Sequence, residues 1–252
     1  MPAFPYLLNG TIFRFNVVTI GMIILSGLIV LLILRLALRN MDMRHPKGLQ
    51  NIMEWGVEFT ANMARQTMPA EQLVQWVLPL AFTMLTFLFV ANWLGVIMTI
   101  SLHVGHPVPW LGITKQSLIE GKYEVPLFDS PTANMSMTLG MAVMVWIISH
   151  AEGLRRPKAW LKHYRNPMFI LEEFTNPLTH GLRLYGNIFA GEALIGVLVS
   201  APFLFGWLPW TLPLLLVWLF YCAFVSTIQA YVFTILMTLY IGHKSYRYAH
   251  DH

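Results

Sequence analysis

From Ala193 through His243 the chain carries no Asp, Glu, Lys or Arg. A soluble domain has about one charged residue in four, so a stretch of this length without any is built for lipid rather than water. Other runs repeat the pattern. Phe15 to Leu34 is uncharged and lies between Arg14 and Arg35. Gln72 to Thr114 is uncharged, with Trp76 to Leu102 as its membrane-crossing part, and Ser130 to Ala151 is a third run. A fourth apolar segment covers about Pro167 to Ser200, and a fifth about Leu208 to Gly242. Roughly 20 helical residues span the roughly 30 Å hydrocarbon core. The whole chain of 252 residues is 56% hydrophobic and 11% charged. These features predict a single all-α integral membrane domain, residues 1–252, with about five membrane-embedded helices.

Pro202, Gly206 and Pro209 place a turn between the last two segments, which then form a long apolar hairpin. Gly48 to Met68 has a different pattern. Ile52, Trp55, Phe59 and Met63 recur on one helical face, and Glu54, Glu58, Asn62 and Arg65 on another. That is an amphipathic helix, lying either along the membrane surface or against protein. The segment from His103 to Pro131, with Pro107, Pro109, Gly112 and Gly121, is expected to be an ordered loop.

Basic residues set the orientation. Arg35, Arg39, Arg44, Lys47 and Arg65 follow the first span. Arg155, Arg156, Lys158, Lys162 and Arg165 follow the third, and Lys244 and Arg247 the fifth. The other side holds only Arg14, Lys115 and Lys122. Positive residues concentrate in the cytoplasm, so five crossings put the N-terminus outside and the C-terminus inside. Topology accounts for the basic pI near 9.3 better than nucleic acid does, because the bases form no cluster with interleaved aromatics. One cysteine, Cys222, excludes an intrachain disulfide and a cysteine zinc cluster. The first apolar run is too long for a cleavable signal peptide. There is no internal repeat, phosphate loop, G-x-S-x-G or H-E-x-x-H. His103 and His106 lie in a Pro-rich loop without helical spacing, a weak basis for a metal site. No metal or cofactor is expected.

The charges inside the apolar segments carry the chemistry. Arg183 and Glu192 lie in LTHGLRLYGNIFAGEALIGVL. A charge at bilayer depth costs roughly 2.5–3.5 kcal/mol on insertion scales. At about 100° per residue, Arg183 and Asn187 share a face, and Gly186 and Ala190 beside them would let another helix approach. Glu192 lies about 180° around the helix and about 13 Å further out, so it does not form a simple salt bridge with Arg183. Glu172 returns to nearly the Arg183 face about 16 Å toward the cytoplasm, with Glu173 beside it. Asn176-Pro177 is a candidate kink between them. Two readings of Arg183 stand side by side: a structural charge held by carbonyls or by Gln229, or a functional charge on an ion pathway. Gln229 serves either as packing glue or as pathway lining, with Arg183 its obvious partner across the hairpin. Glu192 calls for a hydrated cavity or a protonated carboxyl. Asn92 and Asn134 either line an external aqueous inlet or cap helix ends. His180, read as a hydrated side chain beside Arg183, and Ser226, a hydroxyl near Gln229, are placed on the proton pathway, and Thr227 adds a second hydroxyl.

HGLRLYGNIFAGE resembles the signature of subunit a of F-type ATP synthases, Bacillus-like in its detail. STIQAYVFTILMTLYIGHK looks like that family's final helix, and GLQNIMEW, FVANWLG and SPTANMSMTLG match its earlier segments in order. The resemblance implies a non-catalytic proton-translocating stator of the bacterial plasma membrane, with no nucleotide-hydrolysis site in this chain. Its implied partners are the c-ring, the peripheral-stalk b subunits and the other ATP synthase subunits, with lipid around it and the proton as its cargo. It also implies that the last two helices are long, tilted and curved along the c-ring. Two offset half-channels would lead protons to and from the ring carboxylates. Arg183 would be the essential arginine. It would favour the ionised form of an arriving carboxylate and block leakage between half-channels. Asn187 and Gln229 match polar positions beside that arginine. Glu192 matches the acidic position of the external half-channel, and Glu172 and Glu173 match the acidic end of the cytoplasmic one. Asn134 stands where many relatives carry Asp, and Cys222 where some carry His or Glu. External uptake would then rest on Glu192 and water. Two other classes of function were weighed. An ion-coupled transporter with Arg183 binding an anion would be expected to show inverted repeats. A membrane enzyme using His103 and His106 would need a larger ligand set.

Overall fold

A computed structural model describes residues 6–7, 15–39, 48–68, 70–97, 100–103, 106, 115–120, 124–128, 130–154, 167–200, 203–204 and 208–246. Seven α-helices carry the fold: α1 Val17–Leu38, α2 Leu49–Thr67, α3 Glu71–Ile97, α4 Lys115–Glu120, α5 Met135–Gly153, α6 Pro167–Val199 and α7 Leu212–Tyr246. Five of them, α1, α3, α5, α6 and α7, contain stretches long and apolar enough to cross a membrane. The chain is an all-helical multi-pass membrane protein.

Local signals explain the boundaries. Asn16 caps α1, its Oδ1 accepting from the backbone N–H groups of Val18 at 3.0 Å and Thr19 at 3.3 Å. Asn134 caps α5 in the same way, accepting from Ser136 N–H at 2.9 Å. Gly48 enters α2 with φ +59°, a conformation that suits glycine. Pro79 and Pro177 both lie within continuous helices, so the chain runs helical through the Asn176-Pro177 step.

The predicted irregular connections contain short antiparallel ribbons. β1 Tyr6–Leu7 pairs with β2 Phe15–Asn16 ahead of α1. β3 Ile100–His103 pairs with β4 Glu124–Phe128 inside the expected loop. β5 Phe203–Leu204 pairs with β6 Leu208–Pro209 at the hairpin turn. Alternation cannot announce strands this short. Pro107, Pro109, Gly112, Gly121, Pro202 and Gly206 lie outside the described residues. So do Arg14, Arg44, Lys47, Lys122, Arg155, Arg156, Lys158, Lys162, Arg165 and Arg247.

The core gathers around α3 and α7. Val77, Ala81 and Leu88 of α3 meet Ala230, Phe233, Met237 and Ile241 of α7, with Val145 of α5 and Leu184 of α6. Lipid is as apolar as leucine, so close backbone approach and hydrogen bonds hold such helices together. Gly242 shows this: a Cβ there would run into the Thr67 carbonyl of α2. Nearby, Thr67 Oγ1 donates to Thr238 Oγ1 at 3.0 Å. Gly181 likewise brings α6 against the Leu139 backbone of α5. One side of α2 packs on protein and the other is left exposed. Thr60, Ala61, Met63 and Ala64 are buried, while Ile52 and Trp55 are 61% and 66% exposed. Arg65 holds Glu71 at 2.9 Å across the α2–α3 corner.

Candidate functional site

α6 carries six of the candidate residues and sorts them by face. Glu172, Arg183 and Asn187 are exposed, Glu173 and Glu192 are half-buried, and His180 is buried. Helical spacing explains the sorting. Eleven residues separate Glu172 from Arg183, a return to within about 20°, and seven separate Glu173 from His180, again about 20°. One column of polar groups therefore faces out, and another faces α5 and α7. A Cβ placed on Gly186, beside Arg183, would meet nothing within 4 Å. Among the described residues, no helix takes the close approach that Gly186 permits. Arg183 forms no ion pair with any described residue.

At the level of Arg183 the hairpin is pinned by one polar bond. Asn187 Nδ2 donates to Gln229 Oε1 at 2.8 Å. The expected Arg183–Gln229 pairing is thus replaced. The buried Gln229 carbonyl is taken by the amide one turn along α6, and the guanidinium stays on the outer face. His180 is enclosed by the helices rather than open to bulk solvent. It is 2% exposed, with its ring centroid 3.9 Å from that of Phe233 and 5.7 Å from that of Tyr240.

Toward the β3–β4 ribbon, four elements converge around Glu192. Asn92 of α3 is fully buried. Its Nδ2 donates to the Ser226 carbonyl at 3.1 Å, and its Oδ1 accepts from Thr132 Oγ1 at 2.8 Å. Thr132 and Ser130 hydroxyls lie 2.7 Å apart in the 3-10 turn Pro131–Ala133 and its flank. A Cβ on Gly95 would overlap Ser130 and stand 3.2 Å from Glu192 Oε1, so glycine makes room for the carboxyl. Glu192 also borders a cavity of about 100 Å³ shared with Asn187, Trp218, Tyr221, Cys222 and Ser226. That is room for water. Asn134 is spent elsewhere: besides capping α5, its Nδ2 donates to Thr19 Oγ1 of α1 at 3.2 Å. No group of three or more metal-ligating side chains occurs among the described residues, and the His103 side chain lies outside them.

At the opposite end three helices meet in one ionic cluster. Lys244 Nζ of α7 donates to Glu173 Oε2 of α6 at 2.9 Å. It also lies 2.8 Å from His150 Nδ1 of α5, and His150 Nε2 is 3.3 Å from the same carboxylate oxygen. The Lys244 and Glu173 side chains are only 13% and 12% exposed. Two adjacent glutamates are thereby divided: Glu173 is held by a cation, and Glu172 stays on the outer face with Arg183. Sequence reasoning gave Lys244 a topological role alone. The signal was the antiparallel hairpin. Counting back from Asn187 to Glu173 and forward equally from Gln229 reaches His243, next to Lys244. Replacing Lys244 with Gln leaves a shielded carboxylate without its cation. The expected loss is about 3 kcal/mol, seen as a lower unfolding temperature in detergent. The double variant E173Q/K244Q should recover most of it.

The ATP synthase A chain family profile matches residues 20–242. ATP synthase subunit a of Bacillus subtilis is 38% identical over 256 aligned positions, covering 94% of both chains. That of Staphylococcus carnosus is 35% identical over 254 positions, covering 96% of both. That of Enterococcus hirae is 36% identical over 234 positions, covering 88% of this chain and 89% of the relative.

Proposed function

The chain belongs to the family of ATP synthase a subunits, proton-translocating subunits of the Fo sector, and from that membership we propose that it works as a stator with two offset proton half-channels. The observation that carries this reading is the exposed Arg183, midway along α6, on a face that no helix among the described residues covers. A ring of c subunits, each with one carboxyl group, fits against that face. Large apolar side chains on the same two helices, among them Phe174, Val197, Val217 and Phe220, are left exposed and suit a lipid-embedded rotor.

Glu192 and its cavity form the outer half-channel, with Asn92, Ser226 and the Ser130–Thr132 hydroxyls around it. Asn134 acts by fixing the start of α5 rather than by carrying protons. The inner half-channel opens at the Glu172 and Glu173 end. A proton enters past Glu192, neutralises a ring carboxylate, travels round through lipid, and is released when the carboxylate reaches Arg183. The guanidinium stays protonated throughout, so it attracts the carboxylate and blocks a direct leak. Asn187 and Gln229 hold the two helices in register beside it. The concentration of Lys and Arg after the first, third and fifth spans supports a cytoplasmic C-terminus. The peripheral-stalk b subunits belong to the same stator.

The experiment is extraction in mild detergent followed by native electrophoresis. The subunit should migrate with a c-ring and an ATPase. Migration as a free transporter-sized particle, from membranes that retain intact ATPase, would overturn the reading.

A further inference from the structure

We propose that His180 is a proton relay joining the Arg183 level to the Glu173–Lys244–His150 cluster, an assignment that rests on the stator reading above. Both ring nitrogens of His180 are buried, and neither finds a hydrogen-bond partner among the described residues. Buried polar groups in native proteins are almost always bonded to protein or to ordered water. With no partner on either nitrogen among the described residues, water is the chemistry that suits them.

The position of this imidazole gives such water a direction. His180 lies one turn before Arg183 on α6 and two turns after Glu173, on the Glu173 face. Its ring meets the edge of Tyr240, which stands one turn before Lys244 on α7. The titratable and charged groups around the route are therefore Arg183 and Tyr240 at one end, and Glu173, Lys244 and His150 at the other. Glu173 is about 10 Å along the helix from His180, a gap that a short chain of water can bridge.

The transfer balances without any other reactant. One ring nitrogen accepts a proton from the Arg183 side. The other then gives up its own proton toward Glu173, and the neutral ring is left as the opposite tautomer. Ring reorientation or exchange through water restores the starting form. A purely apolar packing role would not call for two ring nitrogens at this position.

Passive proton flux, measured in vesicles containing assembled Fo and driven by a potassium diffusion potential, tests the relay. His180→Leu keeps the volume and removes both nitrogens. Flux per assembled complex should fall about tenfold or more. His180→Gln restores hydrogen bonding without imidazole chemistry and should remain slow. His180→Ala opens space for a free ring, so added imidazole should raise its flux above the imidazole-dependent background seen with His180→Leu. Wild-type flux in the Leu or Gln variant would overturn the relay. If neither assembles, no imidazole response in the Ala variant would overturn it. Arg183→Ala, assayed in parallel for ATP synthesis, separates the two levels. Near-normal synthesis there sinks the stator reading itself, whereas lost synthesis with unaltered His180 variants sinks only the relay.

Discussion

Arg183→Ala should assemble into the complex at normal levels and synthesise no ATP above background in sealed vesicles. The assembly half of this expectation comes from contacts. Arg183 is exposed and makes no ion pair with a described residue, while the packing of α6 rests on Leu184, Ile188, Gly181 and the Asn187–Gln229 bond. Removing the guanidinium leaves these intact. The activity half comes from electrostatics. At 4 Å and an effective dielectric constant of about 20, two unit charges interact by about 4 kcal/mol, or nearly three powers of ten in a protonation equilibrium. Without that term, a ring carboxylate passing α6 keeps its proton at the level where release is required. Arg183→Lys preserves the charge but replaces a fixed fork by a flexible ammonium that loses its proton more easily when desolvated. It should recover only part of the activity. Near-normal synthesis by Arg183→Ala would remove the residue from the mechanism.

The membrane helices were legible because one physical demand governs them. A span needs about 20 predominantly apolar residues; the uncharged runs ending at Leu34 and Ala151 mark α1 and α5 to within about five residues, and the apolar segment Pro167 to Ser200 marks α6 despite its four charges. The amphipathic helix was equally plain from the 3.6-residue spacing of Ile52, Trp55, Phe59 and Met63. The face and depth separation of Arg183 from Glu192 also follows from helical geometry alone. Side-chain partners were another matter. Gln229 was matched to the nearest charge, but a buried amide takes the group whose register fits, and that group is Asn187. His180 follows a threonine in a polar-looking stretch, yet its position two turns from Glu173 turns it into the packed face against Phe233. Asn134 carries the same capping signal as Asn16, an amide directly before an apolar run. Of the two readings open for Asn134, the cap is the one the structure shows. Lys244 was counted as a surface charge because the pattern of spans fixes which helices are membrane-embedded but not which residues stand at equal height.

Glu192→Gln should lower passive proton flux and ATP synthesis together, by about tenfold or more, with assembly unchanged. The substitution keeps size and hydrogen-bonding capacity, so the space that Gly95 provides beside Ser130 remains filled. What it removes is the ability to take up and give back a proton. The surroundings offer little to replace that ability. Asn92, Thr132, Ser130 and Ser226 contribute amides and hydroxyls, which can order water but do not ionise near neutral pH. Among the described residues, Glu192 is the one carboxyl group bordering the cavity of about 100 Å³. Cys222 and Tyr221 also border it, but they bring a thiol and a phenol rather than a second carboxyl group. Asn134 is committed to the α5 cap and to Thr19, so it is not placed to take over. The loss should therefore appear in both flux and synthesis, because both draw on the same route into the ring. Normal flux through assembled Fo bearing Glu192→Gln would mean that protons reach the ring by water alone, and would reduce Glu192 to a lining residue.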